Sequence, residues 1–311
     1  MKRLIVAACV AALHVAPVMA DEENWQSSPY GPDDEIGAAN LMTPEQVVAA
    51  SGLITTGKTY AMGIPVGRNT PGFGSRELDI TVLMPGQEGG RSFGDNKMTY
   101  VDDMITGWIG LGTQIDGLGH LGIDNVFYNG NKPEDYVNTT GLTKMGIHNV
   151  PPIVGRGVLL DMAALRGVDV VEEGELFTLD EVKAAVEAAG VTLRDGDVVV
   201  FHTGWLSVLA DDPQRFASAE PGIDGISALW LAQQGVVAVG ADTWGLDVVP
   251  HPDGSLFTAH QVLLAKKGVY ILENLDTSGL VADDVTEFFF VLGQPRLEGA
   301  VQAIINPIAI R

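Results

Sequence analysis

From Val158 onward the chain alternates short, wholly apolar runs with segments of helical periodicity, a pattern that few folds accept. The runs are Val158-Leu159-Leu160-Asp161, Val198-Val199-Val200-Phe201, Val236-Val237-Ala238-Val239, Val269-Tyr270-Ile271-Leu272 and, last in the chain, Phe288-Phe289-Phe290-Val291. A strand with no polar face is covered on both sides, which is the situation of strands in a sheet flanked by helices. Between the runs, Thr178 and Glu181 form a capping box that opens a helix closing near Gly190. Further helices are expected over about Ile226 to Gln234 and about Ala259 to Lys267. The chain therefore reads as an α/β protein, a mixed sheet with flanking helices.

Upstream the signals differ. Residues 21–42 are rich in Pro, Asp and Asn and read as an extended N-terminal arm, ending where Thr43, Pro44 and Gln46 mark a helix start. Residues 65–100 hold many Gly and Pro around the alternating Leu78-Asp79-Ile80-Thr81-Val82, a pattern of loops and antiparallel strands. Nothing in residues 21–311 suggests a repeat or a dividing linker, so a single domain is expected. Residues 1–20 stand apart: Lys2 and Arg3 precede an apolar run from Leu4 to Val18, and Ala20 precedes Asp21-Glu22-Glu23. That is the composition of a secretory signal peptide cut after Ala20, with an apolar core too short for a membrane anchor. A periplasmic or secreted protein, free of the membrane after cleavage, is expected. Cleavage removes the chain's one cysteine, Cys9, and with it any disulfide or cysteine nucleophile. With 18 Lys plus Arg against 40 Asp plus Glu, a formal charge of -22, the surface is unsuited to a phosphate backbone. A small-molecule substrate fits better than nucleic acid.

The chemistry concentrates in Gly107 to His120. Gly110-Leu111-Gly112 imitates a dinucleotide fingerprint, but the next glycine falls at Gly117 and the strand-helix context is missing. Asp116 and His120 remain, four apart; on a helix they face the same way and can serve one metal or one reacting atom, and they read equally well as a surface pair or a cap. Glu273 ends the run Val269 to Leu272, where a carboxylate needs a partner or a metal, and His260 lies at the start of the preceding helix. No Gly-x-Ser-x-Gly elbow occurs, which removes the serine-triad alternative. Trp108, Tyr128 and Trp244 are candidates for lining an apolar substrate pocket, and also for plain core.

The segment Gly110-Leu111-Gly112-Thr113-Gln114-Ile115-Asp116-Gly117-Leu118-Gly119-His120 resembles the signature His-x-Gly-Thr-His-x-Asp-x-x-x-His of the Putative cyclase family, which includes bacterial kynurenine formamidases and isatin hydrolases. The arm from Gly31 to Glu45, His202-Thr203-Gly204-Trp205 (similar to the family's Arg-Thr-Gly-Trp), Ala241-Asp242-Thr243-Trp244-Gly245 and Asn306-Pro307-Ile308-Ala309-Ile310 extend the resemblance over nearly the whole chain. It implies a swivelling β/β/α domain, usually a homo-oligomer. It also implies that Asp116, His260 and Glu273 bind a divalent metal while His120 gives and takes the proton. The two-metal members use both earlier histidines of the signature, which here are Gly110 and Gln114, so one metal is expected, Zn or Mn. Gln114 is left as a weak oxygen ligand or a hydrogen-bond partner of the metal-bound water, and His202 as a substrate contact.

Two carboxylates and an imidazole leave coordination positions open, and water bound at such a position ionises near neutral pH. The expected activity is hydrolysis of an amide, lactam, ester or lactone. A catalytically silent small-molecule binder of the same fold and a metal-dependent cyclase or lyase are the alternatives.

Overall fold

The computed structural model describes residues 24–87 and 89–311; the signal-peptide reading at residues 1–20 lies outside the described residues. In chain order the strands that build the site and its scaffold are Thr59–Ala61 (β1), Leu78–Leu83 (β2), Asp102–Gly107 (β3), Gln114–Asp116 (β4), Ile153–Asp161 (β5), Val198–His202 (β6), Ala238–Ala241 (β7), Tyr270–Glu273 (β8), Glu287–Leu292 (β9), Gln302–Ile304 (β10) and Ile308–Ile310 (β11). All but β2 and β3 join one nine-stranded sheet in the order β1-β11-β9-β5-β6-β7-β8-β4-β10. Its middle, β5 to β8, is parallel, and each flank is antiparallel.

The apolar runs are this parallel centre. Val158, Val199, Val239 and Ile271 are fully buried, each such side chain contributing roughly 1.5–3 kcal/mol through the water it no longer orders. Helices Pro44–Ser51 (α1), Leu179–Ala188 (α2) and Gly225–Gln233 (α3) flank the sheet, and both expected capping boxes are formed, at Thr43 with Gln46 and at Thr178 with Glu181. The result is the expected mixed α/β sheet with flanking helices. One buried polar network crosses it: Arg156 of β5 donates to Asp197 through Nε (2.9 Å) and Nη2 (2.6 Å) and to Glu287 of β9 through Nη1 (2.7 Å), tying three segments together.

Two expectations change. Phe288–Val291 is not the end of the sheet, because β10 and β11 follow, each of three residues and too short to show a period. The expected helix over Ala259–Lys267 is a single turn, Thr258–His260, running into a π-helix, Gln261–Lys267, whose wider winding often marks functional sites. The alternating patch at Leu78 is an antiparallel strand as expected, paired with β3 in a separate hairpin of which only Leu78, at its base, is buried.

The described part of the N-terminal arm is fastened to the body. Asn129 Nδ2 donates to the carbonyls of Gly31, Pro32 and Asp34, and the Ala38 amide to Gly268.

Replacing Arg156 by Leu strands the nearly buried Asp197 without its guanidinium partner. Urea denaturation should show a loss of about 3 kcal/mol; a loss near zero would mean that the network adds nothing to stability.

Candidate metal centre

Cross-strand register assembles the site. In β4 the residues alternate, so Gln114 and Asp116 share a face while Ile115 points into the core. Glu273 of β8 lies opposite Gln114, and Gln302 of β10 lies opposite Asp116, which puts all four side chains on one face of three neighbouring strands. The chain then turns sharply after Asp116: the His120 amide donates to the Gly117 carbonyl at 3.0 Å, and this turn brings His120 Nε2 to 3.7 Å from Asp116 Oδ2. The segment is a strand end and a turn rather than a helix, and the two side chains still face each other. A Cβ on Gly117 would stand 2.6 Å from the Val301 carbonyl oxygen, so only glycine admits the approach of β10 here.

His260 arrives from the turn preceding the π-helix. Its Nε2 lies 3.3 Å from Asp116 Oδ2 and 3.4 Å from Glu273 Oε1. Its other nitrogen, Nδ1, is 2.7 Å from Asp247 Oδ2, and Asp247 also accepts the backbone N–H of Ala259 and His260. Asp247 thereby fixes the ring and aims Nε2 at the two carboxylates. This carboxylate–imidazole pairing is how proteins commonly orient a metal-binding histidine.

The charges do not balance unaided. Burial, and then the neighbouring Asp116, push Glu273 up to about 8. Burial also opposes ionisation of Asp116, but His120 and His260 outweigh it and hold that carboxyl below its usual range. His260 is raised well above its ordinary value despite its burial, through Asp116, Asp247 and Glu273. Protons on His260 and Glu273 are one way to neutralise such a cluster; a divalent cation among the same atoms is the other. The donor set fits a cation. Asp116 Oδ2 is buried without any hydrogen-bond partner while it faces both imidazoles, and Asp116, His120 and His260 each offer one atom within 4.8 Å of the others.

Gln114 is placed differently from either role expected of it. Its Nε2 donates to Glu273 Oε2 at 2.5 Å and to Asp116 Oδ1 at 3.2 Å, so the amide nitrogen clamps the two carboxylates. Gln302 Nε2 donates to Asp116 Oδ1 at 2.6 Å, and a side chain on Gly110 would collide with the Gln302 amide. The two histidine positions of the signature thus hold a glycine, which makes room for one amide, and a glutamine, which supplies another. Both amides present N–H donors to the carboxylates.

The centre opens into a cavity of about 200 Å³ lined by Phe73, Arg76, His120, Leu121, Trp244, Phe257, His260 and Glu273. Phe73 stacks on Trp244 at 5.0 Å, and Phe257 meets the His260 ring edge-on at 5.3 Å. Trp244 lines the pocket as expected of it. The other three candidates do not. Trp108, at the end of the hairpin, is 54% exposed and away from the cavity. Tyr128 is buried and gives its hydroxyl to Asp34 of the arm, the partner that a buried phenol requires. His202 ends β6, separated from β8 by β7, and is engaged by Thr277 (2.7 Å) and Asp242 (3.3 Å) in a different cavity. Sequence reasoning missed Phe73, Arg76, Asp247, Phe257 and Gln302. Asp247 stands just beyond the family-like block ending at Gly245 and could have been flagged there; Gln302 carries no local signal at all.

Trp244 is itself held by a buried acid. Glu220 Oε2 accepts the amides of Trp244 (2.6 Å) and Gly245 (3.0 Å), and burial followed by the charge of Glu273 pushes the Glu220 carboxyl well above its ordinary value.

The chain belongs to the Putative cyclase family, whose sequence model matches residues 55–248. A crystal structure described as a novel cyclase is 33% identical, with a TM-score of 0.82 over 91% of this chain and 98% of its own. The fold is shared by an isatin hydrolase bound to the product analogue thioisatinate (17% identity, TM-score 0.62, 86% of this chain and 98% of that one). It is also shared by a predicted metal-dependent hydrolase from Bacillus stearothermophilus (19% identity, TM-score 0.55, 82% and 98%). No match was found among curated proteins.

Two outcomes are expected. Asp247→Asn should lower Zn or Mn affinity about 10- to 100-fold in a calorimetric titration, because the His260 ring loses its orienting charge; unchanged affinity would remove Asp247 from the site. Glu220→Gln tests the buried acid. Its raised pKa means that the native state favours the protonated form, so wild-type stability falls as pH rises past the unfolded carboxyl value. The melting temperature of the variant, relative to wild type, should therefore climb as pH rises above the ordinary carboxyl range. A flat difference would show that Glu220 folds ionised.

Proposed function

We propose that this protein is a metal-dependent hydrolase that opens an amide, lactam, ester or lactone bond of a small, flat carbonyl compound. The observation that carries the reading is Asp116 Oδ2, buried and without a hydrogen-bond partner between two imidazole nitrogens. Asp116, His260 and Glu273 would hold one Zn or Mn ion. Such an ion, when bound, supplies the positive charge that polarises a carbonyl and lets water ionise near neutral pH.

The remaining steps belong to the chain. Asp247 keeps His260 Nδ1 engaged, so that Nε2 faces the centre, and the amides of Gln114 and Gln302 hold the carboxylates apart. These amides occupy the surroundings that a second ion would need, which supports one metal. His120 borders both the cavity and Asp116, and burial lowers its pKa against the pull of Asp116. A neutral ring accepts a proton at Nε2 and returns it to the departing amine or alcohol. The aromatic wall of Phe73, Trp244 and Phe257 excludes water and seats a flat substrate.

The reading extends to the setting. A periplasmic or secreted location rests on the composition of residues 1–20, and no described helix is long and apolar enough to cross a membrane. A homo-oligomer is supported by the hairpin, a two-stranded unit of marginal stability in water that exposes Val82 and Ile105 at 66% and 63%.

Glu273→Ala should abolish both metal content, read by elemental analysis, and turnover, whereas His120→Ala should abolish turnover and retain metal. Wild-type turnover in the Glu273 variant sinks the proposal. Wild-type protein that takes up neither Zn nor Mn on reconstitution favours a silent binder instead.

A further inference from the structure

Arg76 is the one arginine lining the cavity beside the carboxylate–imidazole cluster, and its Nη1 donates to the Gly110 carbonyl at 3.0 Å. Among the described residues it has no carboxylate within salt-bridge distance, whereas the buried Arg156 of the sheet is paired with two. Its charge is felt at the centre, where it acts on both His120 and Glu273. It rises from the loop between Phe73 and β2 and not from the strands that carry Asp116 and Glu273. A guanidinium presents a planar fork of donors, and one bond to Gly110 leaves most of them for a ligand.

We propose that Arg76 binds an anionic group, a carboxylate, carried by the ligand apart from its reacting carbonyl. The pocket then reads a flat body against Phe73 and Trp244, the carbonyl at the metal centre and the carboxylate at Arg76. Only the placement of the carbonyl rests on the hydrolase reading. The surrounding field is negative and disfavours anions at long range, so a local cation is what such a ligand requires.

The test uses metal-loaded protein and two small probes, benzoate and its neutral isostere benzamide, titrated by ligand-observed NMR. Arg76→Met should weaken benzoate about tenfold or more, the usual consequence of losing a charge-assisted pair, and leave benzamide within about twofold. Arg76→Lys should recover part of the loss. Equal losses for both probes would show that Arg76 only shapes the loop, and unchanged benzoate affinity would show that it contacts no anion; either overturns the proposal. The titration is repeated after chelation. Arg76 dependence that survives supports the proposal, and benzoate binding that loses all dependence on Arg76 shows that the carboxylate was reading the metal, which overturns it. Protein that holds no metal and hydrolyses nothing, yet keeps the Arg76-dependent preference for benzoate, defeats the hydrolase reading alone.

Discussion

The structure is organised around a charge problem. Asp116 and Glu273 are buried side by side on one face of the sheet, and two carboxylates in a low-dielectric interior repel each other while losing their hydration. Everything nearby answers that cost. His260 sits between them, Asp247 restrains His260 from behind, and two glutamine amides donate into the pair. One oxygen is left over. Asp116 Oδ2 has no donor, and a protein that satisfies almost every other buried polar atom in the cluster leaves that one for something it does not itself contain.

The sheet makes this arrangement possible by changing direction at β8. The parallel centre delivers Glu273 at the carboxyl end of its strand, where α/β folds place their ligands. β4 runs antiparallel to β8 and β10 antiparallel to β4, so β4 enters that end of the sheet from the opposite direction. These strands are far apart in the chain, and register sets which of their residues meet. A slip of one residue would turn Asp116 into the core and Ile115 toward the centre.

Relative to the two-histidine form of the signature, this chain has exchanged ligands for hydrogen-bond donors. Gly110 removes one imidazole and admits Gln302; Gln114 replaces the other and turns its nitrogen toward the acids. An amide nitrogen cannot coordinate a cation as an imidazole does, but it fixes carboxylate orientation, so the exchange trades coordination for rigidity. Beyond the cluster, the cavity has aromatic walls and an arginine, supplied by the loop before β2, the Trp244 segment and Phe257, apart from the strands that carry the carboxylates.

The apolar runs at Val158, Val198, Val236 and Val269 and the two capping boxes were decisive by themselves, because burial on both faces and an N-terminal cap are local demands that no partner can waive. The order of Asp116, His260 and Glu273 was legible only through resemblance to a family, and their meeting was not: residues this far apart in the chain are joined by strand register, which a pattern of hydrophobicity does not encode. Asp116 and His120 looked like a helical pair because four-residue spacing is all that a sequence displays, and a strand end followed by a turn satisfies it equally. Trp108, Tyr128 and His202 looked like pocket residues because aromatic and imidazole groups suit pockets, yet a hairpin, an arm and the neighbouring Asp242 claimed them. Gln302, Asp247 and Arg76 have ordinary surroundings in sequence. Their roles come from what the folded chain sets against them, and that depends on three-dimensional contact, which the linear order of residues leaves open.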